Sequence, residues 1–132
     1  MTLVVDASVV VAALIDSGPV GSWAEDQLAA RPLAAPHLMP GEVANILRRS
    51  ALSGEISADT ASLAHQDLLS LPLELFAYSM CAGRVWELRA NVTAYDAWYA
   101  ALAETLDAAL ATLDVKLSRA AGPRCTFVLP PT

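Results

Sequence analysis

Four acidic residues stand at positions where carboxylates are able to bind a cation next to a substrate. Asp6 and Asp114 each end a short apolar segment, and Glu42 and Asp96 each fall in the first turn of a predicted helix. Hard divalent cations such as Mg²⁺ prefer oxygen ligands, and they acidify a bound water so that it attacks phosphorus. Four carboxylates about 6 Å apart repel by about 3 kcal/mol per pair at an effective dielectric constant of about 20, a repulsion that a cation relieves.

Short apolar segments alternate with stretches of helical period, which predicts an α/β fold. Because strands joined through helices make right-handed crossovers, we expect a mainly parallel central sheet with helices on both faces. No repeat or linker divides residues 1–132, so we expect one domain. The predicted strands are residues 2–6, 33–35, 73–76, 109–113 and 125–129. The predicted helices begin at Ser8 and at residues 20, 42, 57, 79, 94 and 115.

Parallel strands bring their carboxyl ends to one edge of a sheet, and ligands bind beyond that edge. Asp6 and Asp114 should therefore emerge there together, and helix N-termini can bring Glu42 and Asp96 to the same place. Each acid taken alone also fits a helix-capping role or a place in a helix first turn. Both interpretations stay open on the spacing alone.

Four segments resemble, in order and over nearly the whole chain, the acidic motifs of the PIN-domain family. More narrowly, they resemble the VapC toxins of bacterial toxin–antitoxin pairs. The segment around Asp96 is the most specific of the four. The segments are VVDASVVVAAL (4–14), PGEVANILRR (40–49), TAYDAWYAALAETL (93–106) and TLDVKLSRA (112–120).

This resemblance implies a PIN-like α/β domain that is a Mg²⁺-dependent endoribonuclease, with Mn²⁺ as a substitute ion. It implies that a cognate antitoxin neutralises the enzyme and that hydrolysis leaves 5′-phosphate and 3′-hydroxyl ends. Asp6 and Asp114 are our first choices as metal ligands, and Asp96 is a further ligand or orients the attacking water. The implied catalytic acids are Asp6, Glu42, Asp96 and Asp114, with hydroxyl support from Ser8 or Thr112. Asn45 is a further supporting residue that we predict from its position on the helix after Glu42.

One part of the second motif departs from the family pattern. Met39, Pro40 and Gly41 precede Glu42, where the family usually has apolar helical residues. We therefore expect this helix to begin only at Glu42, which leaves the direction of its carboxylate open.

Several residues near the acids are suited to hold RNA. Asn45 and Arg49 lie three and seven residues after Glu42, on the same helix face. Lys116 and Arg119 follow Asp114 closely in the sequence and are predicted phosphate contacts.

An aromatic candidate lies in the third motif. Tyr99 lies about 60° around the helix from Asp96, so we expect it to stack on a base. Tyr95, Trp98 and Leu102 share another stripe, which predicts core or dimer packing.

Composition limits the function classes. The chain carries 14 acidic and 8 basic residues, a net charge of −6, which argues against a non-specific nucleic-acid binder but not against a metal-dependent nuclease. Hydrophobic residues make up 55% of the chain, so we expect a homodimer or a toxin–antitoxin hetero-oligomer. No apolar run is long enough to span a membrane, and the two cysteines predict reduced thiols, so we expect a cytoplasmic protein.

Two alternatives remain at this stage. A receiver-like regulatory module would also be a small α/β domain with an acidic Mg²⁺ site, but it needs paired acids after the first strand, where this chain has Val5 and Ala7. A non-catalytic interaction module would use the four acids only as helix caps. The response to a divalent cation distinguishes this last alternative from a nuclease.

Overall fold

Five parallel strands form one sheet in the order β3-β2-β1-β4-β5. The computed structural model describes residues 1–132. The strands are β1 (Leu3–Val5), β2 (Leu33–Pro36), β3 (Leu73–Phe76), β4 (Ala109–Ala111) and β5 (Phe127–Val128). The helices are α1 (Ala7–Ile15), α2 (Pro19–Ala30), α3 (Met39–Leu52), α4 (Ala58–Ser70), α5 (Ala82–Glu87), α6 (Ala94–Thr105) and α7 (Val115–Arg119), with a 3-10 turn at Tyr78–Met80.

The predicted α/β architecture is confirmed, and the sheet is parallel throughout. The α6 helix packs against β1, β2 and β4, whereas α1 packs against α2, α3 and α4. Because β1 and β2 lie inside the sheet and are covered, every residue in them is buried, as their unbroken apolar sequences predict. The predicted boundaries differ most at residues 79–90, which form the 3-10 turn and the short α5 in place of one helix.

The order of the strands creates a crevice beside β1. From β1 the chain moves outward through β2 and β3, and it then returns to add β4 on the other side of β1. Such a reversal separates the loops that leave the two neighbouring strands, and it is the usual ligand site of a doubly wound sheet. Asp6 follows β1 directly, and Thr112 and Asp114 follow β4. The topology therefore brings two of the four acidic motifs to one crevice.

The prediction that α3 begins at Glu42 is wrong. The helix begins at Met39, with Pro40 in its first turn. Proline is tolerated there because the first-turn N–H groups have no partner within the helix. The backbone N–H of Glu42 already donates to the carbonyl of Leu38 at 3.1 Å. Glu42 is therefore fixed within a regular first turn.

No helix of the chain is by itself long and apolar enough to cross a membrane. Only α1 and α2 together reach that length and composition, and this pair is bent by 114°.

The helices α1 and α2 meet at a tight bend. Gly21 is buried in the bend, and a Cβ atom there would lie 1.7 Å from the carbonyl oxygen of Asp16. The close packing of α2 on the end of α1 therefore requires glycine at this position.

Replacing Gly21 by alanine should lower the free energy of unfolding by about 2–3 kcal/mol, because backbone must move to admit the methyl group. Gly41 is the matched control, since it is also helical but has no atom within 4 Å of its ideal Cβ position. Gly41→Ala should raise stability by about 0.5–1 kcal/mol. Urea denaturation of both variants measures the difference, and equal stabilities would contradict the packing described for the bend.

Candidate functional site

Asp6 is a buried carboxylate whose two oxygens both accept hydrogen bonds. It caps α1 by accepting the backbone N–H of Val9 at Oδ1, 3.2 Å away. The hydroxyl of Ser8 donates to the same oxygen at 2.5 Å, and the hydroxyl of Thr112 donates to Oδ2. Burial raises the pKa of Asp6, and the bonds from Ser8, Thr112 and Val9 oppose that rise. Asp6 is thus more than a cap, because its second oxygen is bonded to a residue after β4.

Ser8 and Thr112 join the loops that leave β1 and β4. Each hydroxyl donates to Asp6 and accepts a backbone N–H from the β4 loop. Ser8 accepts from Leu113 at 3.1 Å, and Thr112 accepts from Asp114 at 3.0 Å. Thr112 is fully buried, so its hydroxyl has no access to water that would replace these partners. The two hydroxyls therefore fix Asp114 relative to Asp6.

Asp114 lies close enough to Asp96 for its negative charge to act on the Asp96 carboxyl group. Asp114 is exposed and caps α7, since its Oδ1 accepts the N–H of Leu117 at 3.1 Å. Asp96 is half-buried in the first turn of α6, where Thr93 is the cap and accepts the Asp96 N–H at 3.2 Å. Burial and then the negative charge of Asp114 raise the pKa of Asp96. The acids of the third and fourth motifs therefore lie within electrostatic range of each other.

Glu42 is linked to the same crevice through Tyr99. The hydroxyl of Tyr99 donates to Oε1 of Glu42 at 2.6 Å, which joins α6 to α3. Burial, the bond to Glu42 and the charges of Glu42 and Asp6 all raise the pKa of Tyr99, so Asp6 lies within electrostatic range as well. Tyr99 is only 4% exposed. The prediction that Tyr99 stacks on a base is therefore wrong, since its ring is inside the protein.

None of the four acids has a cationic partner in the protein. Both salt bridges of the chain belong to Arg84, which pairs with Glu87 and Glu104. Asp6 and Asp96 nevertheless carry raised pKa values through burial, and the negative charge of Asp114 adds to the rise at Asp96. Repulsion among like charges in a partly buried place destabilises the folded state unless a cation is added. The crevice is thus an uncompensated negative site.

The donor chemistry of this site suits a hard divalent cation. Its acids offer only carboxylate oxygens, whereas the two histidines, His37 directly after β2 and His65 on α4, are both exposed. No group of three His, Cys, Asp or Glu side chains is arranged to enclose a metal ion. Mg²⁺ does not need such a cage, because it keeps several waters and takes one or two carboxylates directly. Oδ2 of Asp6 accepts one hydrogen bond within the protein, from Thr112, which leaves it a lone pair.

The raised pKa values predict a pH dependence of the metal-free protein. An unfolded aspartate titrates near 3.8, so above that pH the folded protein binds more protons at Asp6 and Asp96 than the unfolded chain does. The free energy of unfolding should therefore fall as pH rises from 3.8 through the raised values. Asp96→Asn removes one of these groups, so its stability advantage over wild type should grow from pH 4 to pH 7. Thermal unfolding in EDTA measures this, and an advantage independent of pH would contradict it.

The charged and amide side chains predicted to hold RNA lie on α3, which carries Glu42, and on α7, which Asp114 caps. None of them forms a salt bridge, so their polar ends are available to a phosphate. The exposed polar candidates are Asn45 and Arg49 on α3 and Lys116 and Arg119 on α7.

The predicted packing stripe on α6 lies only partly inside the protein. Tyr95 is 62% exposed, whereas Leu102 from the same stripe is fully buried.

Sequence reasoning missed that Tyr99 is the partner of Glu42. Its spacing from Asp96 indicated only that both residues share one side of α6. The signal available in the sequence was a tyrosine on the same side of the helix as Asp96. The identity of the group it meets depends on how α6 packs on α3.

The chain matches a known family over most of its length. A family model described as PIN domain matches residues 3–123. The chain is 39% identical over 129 residues to VapC ribonuclease Mb0985 of Mycobacterium bovis, with 98% of each chain covered. It is 41% identical over 127 residues to ribonuclease VapC1 of Mycobacterium tuberculosis, with 96% of each chain covered.

A solved structure shares the fold. The crystal structure of VapBC2 from Rickettsia felis, bound to a DNA fragment from their promoter, contains a chain that superposes with a TM-score of 0.69. The two chains are 16% identical, and the match covers 98% of each.

Proposed function

The chain belongs to the PIN-domain family, and we propose that it is a VapC-type toxin, an endoribonuclease that needs a divalent cation. Its substrate is RNA, and the reaction is hydrolysis of a phosphodiester bond that leaves 5′-phosphate and 3′-hydroxyl ends. The proposal is supported by the full-length relationship to VapC ribonucleases. The structural observation that carries it is the uncompensated negative crevice where the four acidic motifs approach one another.

Asp6, Asp96 and Asp114 are the residues that would hold the cation, with Glu42 beside them. When bound, Mg²⁺ or Mn²⁺ supplies charge neutralisation and the activation of a water molecule for attack on phosphorus. Ser8 and Thr112 keep the Asp6 carboxylate in one orientation, since both oxygens are hydrogen-bonded. Asp96 would bind the cation or would orient the attacking water. Burial and the nearby Asp114 disfavour the charged form of Asp96, and a bound cation would stabilise that form.

The RNA backbone is held by positive side chains at the edge of the site. Lys116 and Arg119 lie on α7, directly after Asp114, and Arg49 lies on α3 together with Asn45. These residues make contacts to phosphate and sugar that fix the position of the strand without reading its sequence. With a net charge of −6, the chain does not attract RNA at long range, so local contacts and RNA shape decide the substrate.

A cognate antitoxin is the proposed protein partner. An apolar groove of about 560 Å³ runs from Ser8 and Leu113 along Val11, Ile15 and Ile46. It suits the apolar face of a helical segment, which would cover the site at the same time. A further set of exposed apolar residues, which includes Tyr78, Met80, Trp86 and Tyr95, agrees with the predicted homodimer or hetero-oligomer.

The competing function, a non-catalytic module whose acids are only caps, has partial support. Asp6 and Asp114 do cap α1 and α7. Capping requires one oxygen at a helix end, however, and it explains neither the hydroxyl bonded to the second oxygen of Asp6 nor the burial of Asp96. Capping and catalysis also do not exclude each other, because a cap fixes the direction of a carboxylate.

Cleavage of RNA by the purified chain tests the proposed function. We expect cleavage in Mg²⁺ or Mn²⁺, loss of cleavage in EDTA and recovery when the ion is restored. The products should carry 3′-hydroxyl ends that accept a ligated adapter without prior treatment. Expression of the chain alone should arrest bacterial growth. Cleavage that continues in EDTA, or products with 2′,3′-cyclic phosphate ends, would contradict the proposal.

A further inference from the structure

Tyr99 places a hydroxyl group inside the protein, directly against an acid of the proposed site. Its side chain is 4% exposed, and its hydroxyl donates to Oε1 of Glu42 at 2.6 Å. The two residues are 57 positions apart and belong to α6 and α3. A buried hydroxyl bonded to a carboxylate fixes both groups, because neither has an equally good partner in water.

The chemistry of the two groups determines the direction of this hydrogen bond. An ionised carboxylate only accepts hydrogen bonds, whereas a phenol has an O–H to donate. The hydroxyl of Tyr99 is therefore the donor, and Oε1 of Glu42 is the acceptor. The bond joins α6 to the first turn of α3.

Glu42 has no other hydrogen bond to its side chain within the protein, and it forms no salt bridge. The bond from Tyr99 occupies Oε1, and Oε2 remains available. A glutamate side chain without such a partner rotates among several rotamers, and ordering it on ion binding costs free energy. With the bond present, the protein has already limited the carboxylate to one orientation.

We propose that Tyr99 is a positioning residue, whose hydroxyl holds the Glu42 carboxylate in place and thereby increases the affinity of the chain for its divalent cation. This inference rests on the proposed function, because it assumes that Glu42 contributes to a cation site. Tyr99 itself touches neither the cation nor the RNA. Its role is the one that outer hydrogen-bond partners play for metal ligands, whose removal typically weakens metal binding about 10–100-fold.

Titration calorimetry of the full chain with Mn²⁺ tests the proposal without using catalysis. Tyr99→Phe removes only the hydroxyl and should weaken Mn²⁺ binding about tenfold. Tyr78→Phe is the matched control, since Tyr78 is partly exposed and packs edge-on against Trp98 with no hydrogen bond from its hydroxyl. That control should bind Mn²⁺ like wild type. An unchanged affinity in Tyr99→Phe, whatever its melting temperature, would overturn the proposal and leave Tyr99 a purely structural role.

A second pair of variants separates positioning from packing. In a Glu42→Gln background no carboxylate is left to orient, so adding Tyr99→Phe should change Mn²⁺ affinity less than twofold. The double variant also avoids an unpaired charge and so retains the fold. A tenfold loss in that background as well would assign the effect to packing and overturn the inference. If wild type itself fails to bind Mn²⁺, the proposed cation site is wrong, and this result is distinct from a failure of Tyr99 alone.

Discussion

Replacing Asp96 by asparagine is expected to abolish metal-dependent RNA cleavage and to raise the melting temperature of the metal-free protein. Asparagine keeps the shape but removes a charge that burial and Asp114 destabilise. The cap of α6 survives, because the Thr93 hydroxyl accepts the backbone N–H of residue 96. Thr93 also hydrogen-bonds the Asp96 side chain, and an asparagine oxygen is still able to accept that bond. Two like charges 6–10 Å apart repel by about 2–3 kcal/mol at an effective dielectric constant of about 20. The favourable position of Asp96 at a helix N-terminus offsets part of that gain.

We therefore expect a net gain of about 1 kcal/mol, or about 4 °C in melting temperature. Cleavage should fall by about 100-fold or more, and the stabilisation by Mg²⁺ that we expect for wild type should shrink. Asp67→Asn is the control, because it removes one charge from the exposed surface of α4 and should leave cleavage unchanged. A variant that melts below wild type without metal would show that Asp96 stabilises the fold and would favour the capping interpretation.

Replacing Thr112 by valine should destabilise the protein more than any surface change and should also impair cleavage. Valine has nearly the shape of threonine, so the fully buried site stays filled. The variant loses the hydroxyl that donates to Asp6 and accepts the N–H of Asp114. A lost hydrogen bond to a buried charge and an unsatisfied N–H together cost about 3 kcal/mol, or about 12 °C in melting temperature.

Thr105→Val provides the comparison for Thr112→Val. Its hydroxyl donates to the carbonyl of Ala101, one turn earlier in the same helix, and its other neighbour is the weakly bonding thiol of Cys81. Stability should therefore change by less than about 1 kcal/mol. Cleavage by Thr112→Val should fall at least tenfold at a temperature where the variant is folded, since Asp6 and Asp114 lose their common link. Full activity in a destabilised Thr112→Val protein would separate the hydroxyl network from catalysis.

The edge of the sheet at which the acids meet was predictable from sequence for a physical reason. Apolar segments that end in Asp6 and Asp114 can be buried only as inner strands, and parallel strands end at the same edge. The strand order that places β4 next to β1, and so brings Thr112 to Asp6, depends on long-range pairing. No local pattern encodes that choice. The hydroxyl partners of Asp6 were therefore available only through the family resemblance.

Two errors of the sequence analysis have local causes. Pro40 and Gly41 indicated a helix break, but proline is compatible with the first turn of a helix, and α3 begins at Met39. Tyr99 was correctly placed on one side of α6 with Asp96, yet an aromatic ring on such a side can face RNA or the neighbouring helix. The packing of α6 on α3 decides between them and buries the ring against Glu42.

The central claim is that carboxylates from separate segments of the chain hold one divalent cation in the crevice between β1 and β4. The most direct measurement is anomalous diffraction from crystals of the protein grown in Mn²⁺. The account predicts a peak within about 2.5 Å of a carboxylate oxygen of Asp6, Asp96 or Asp114. A crevice without a peak at saturating Mn²⁺, or an ion bound only elsewhere on the surface, would contradict it.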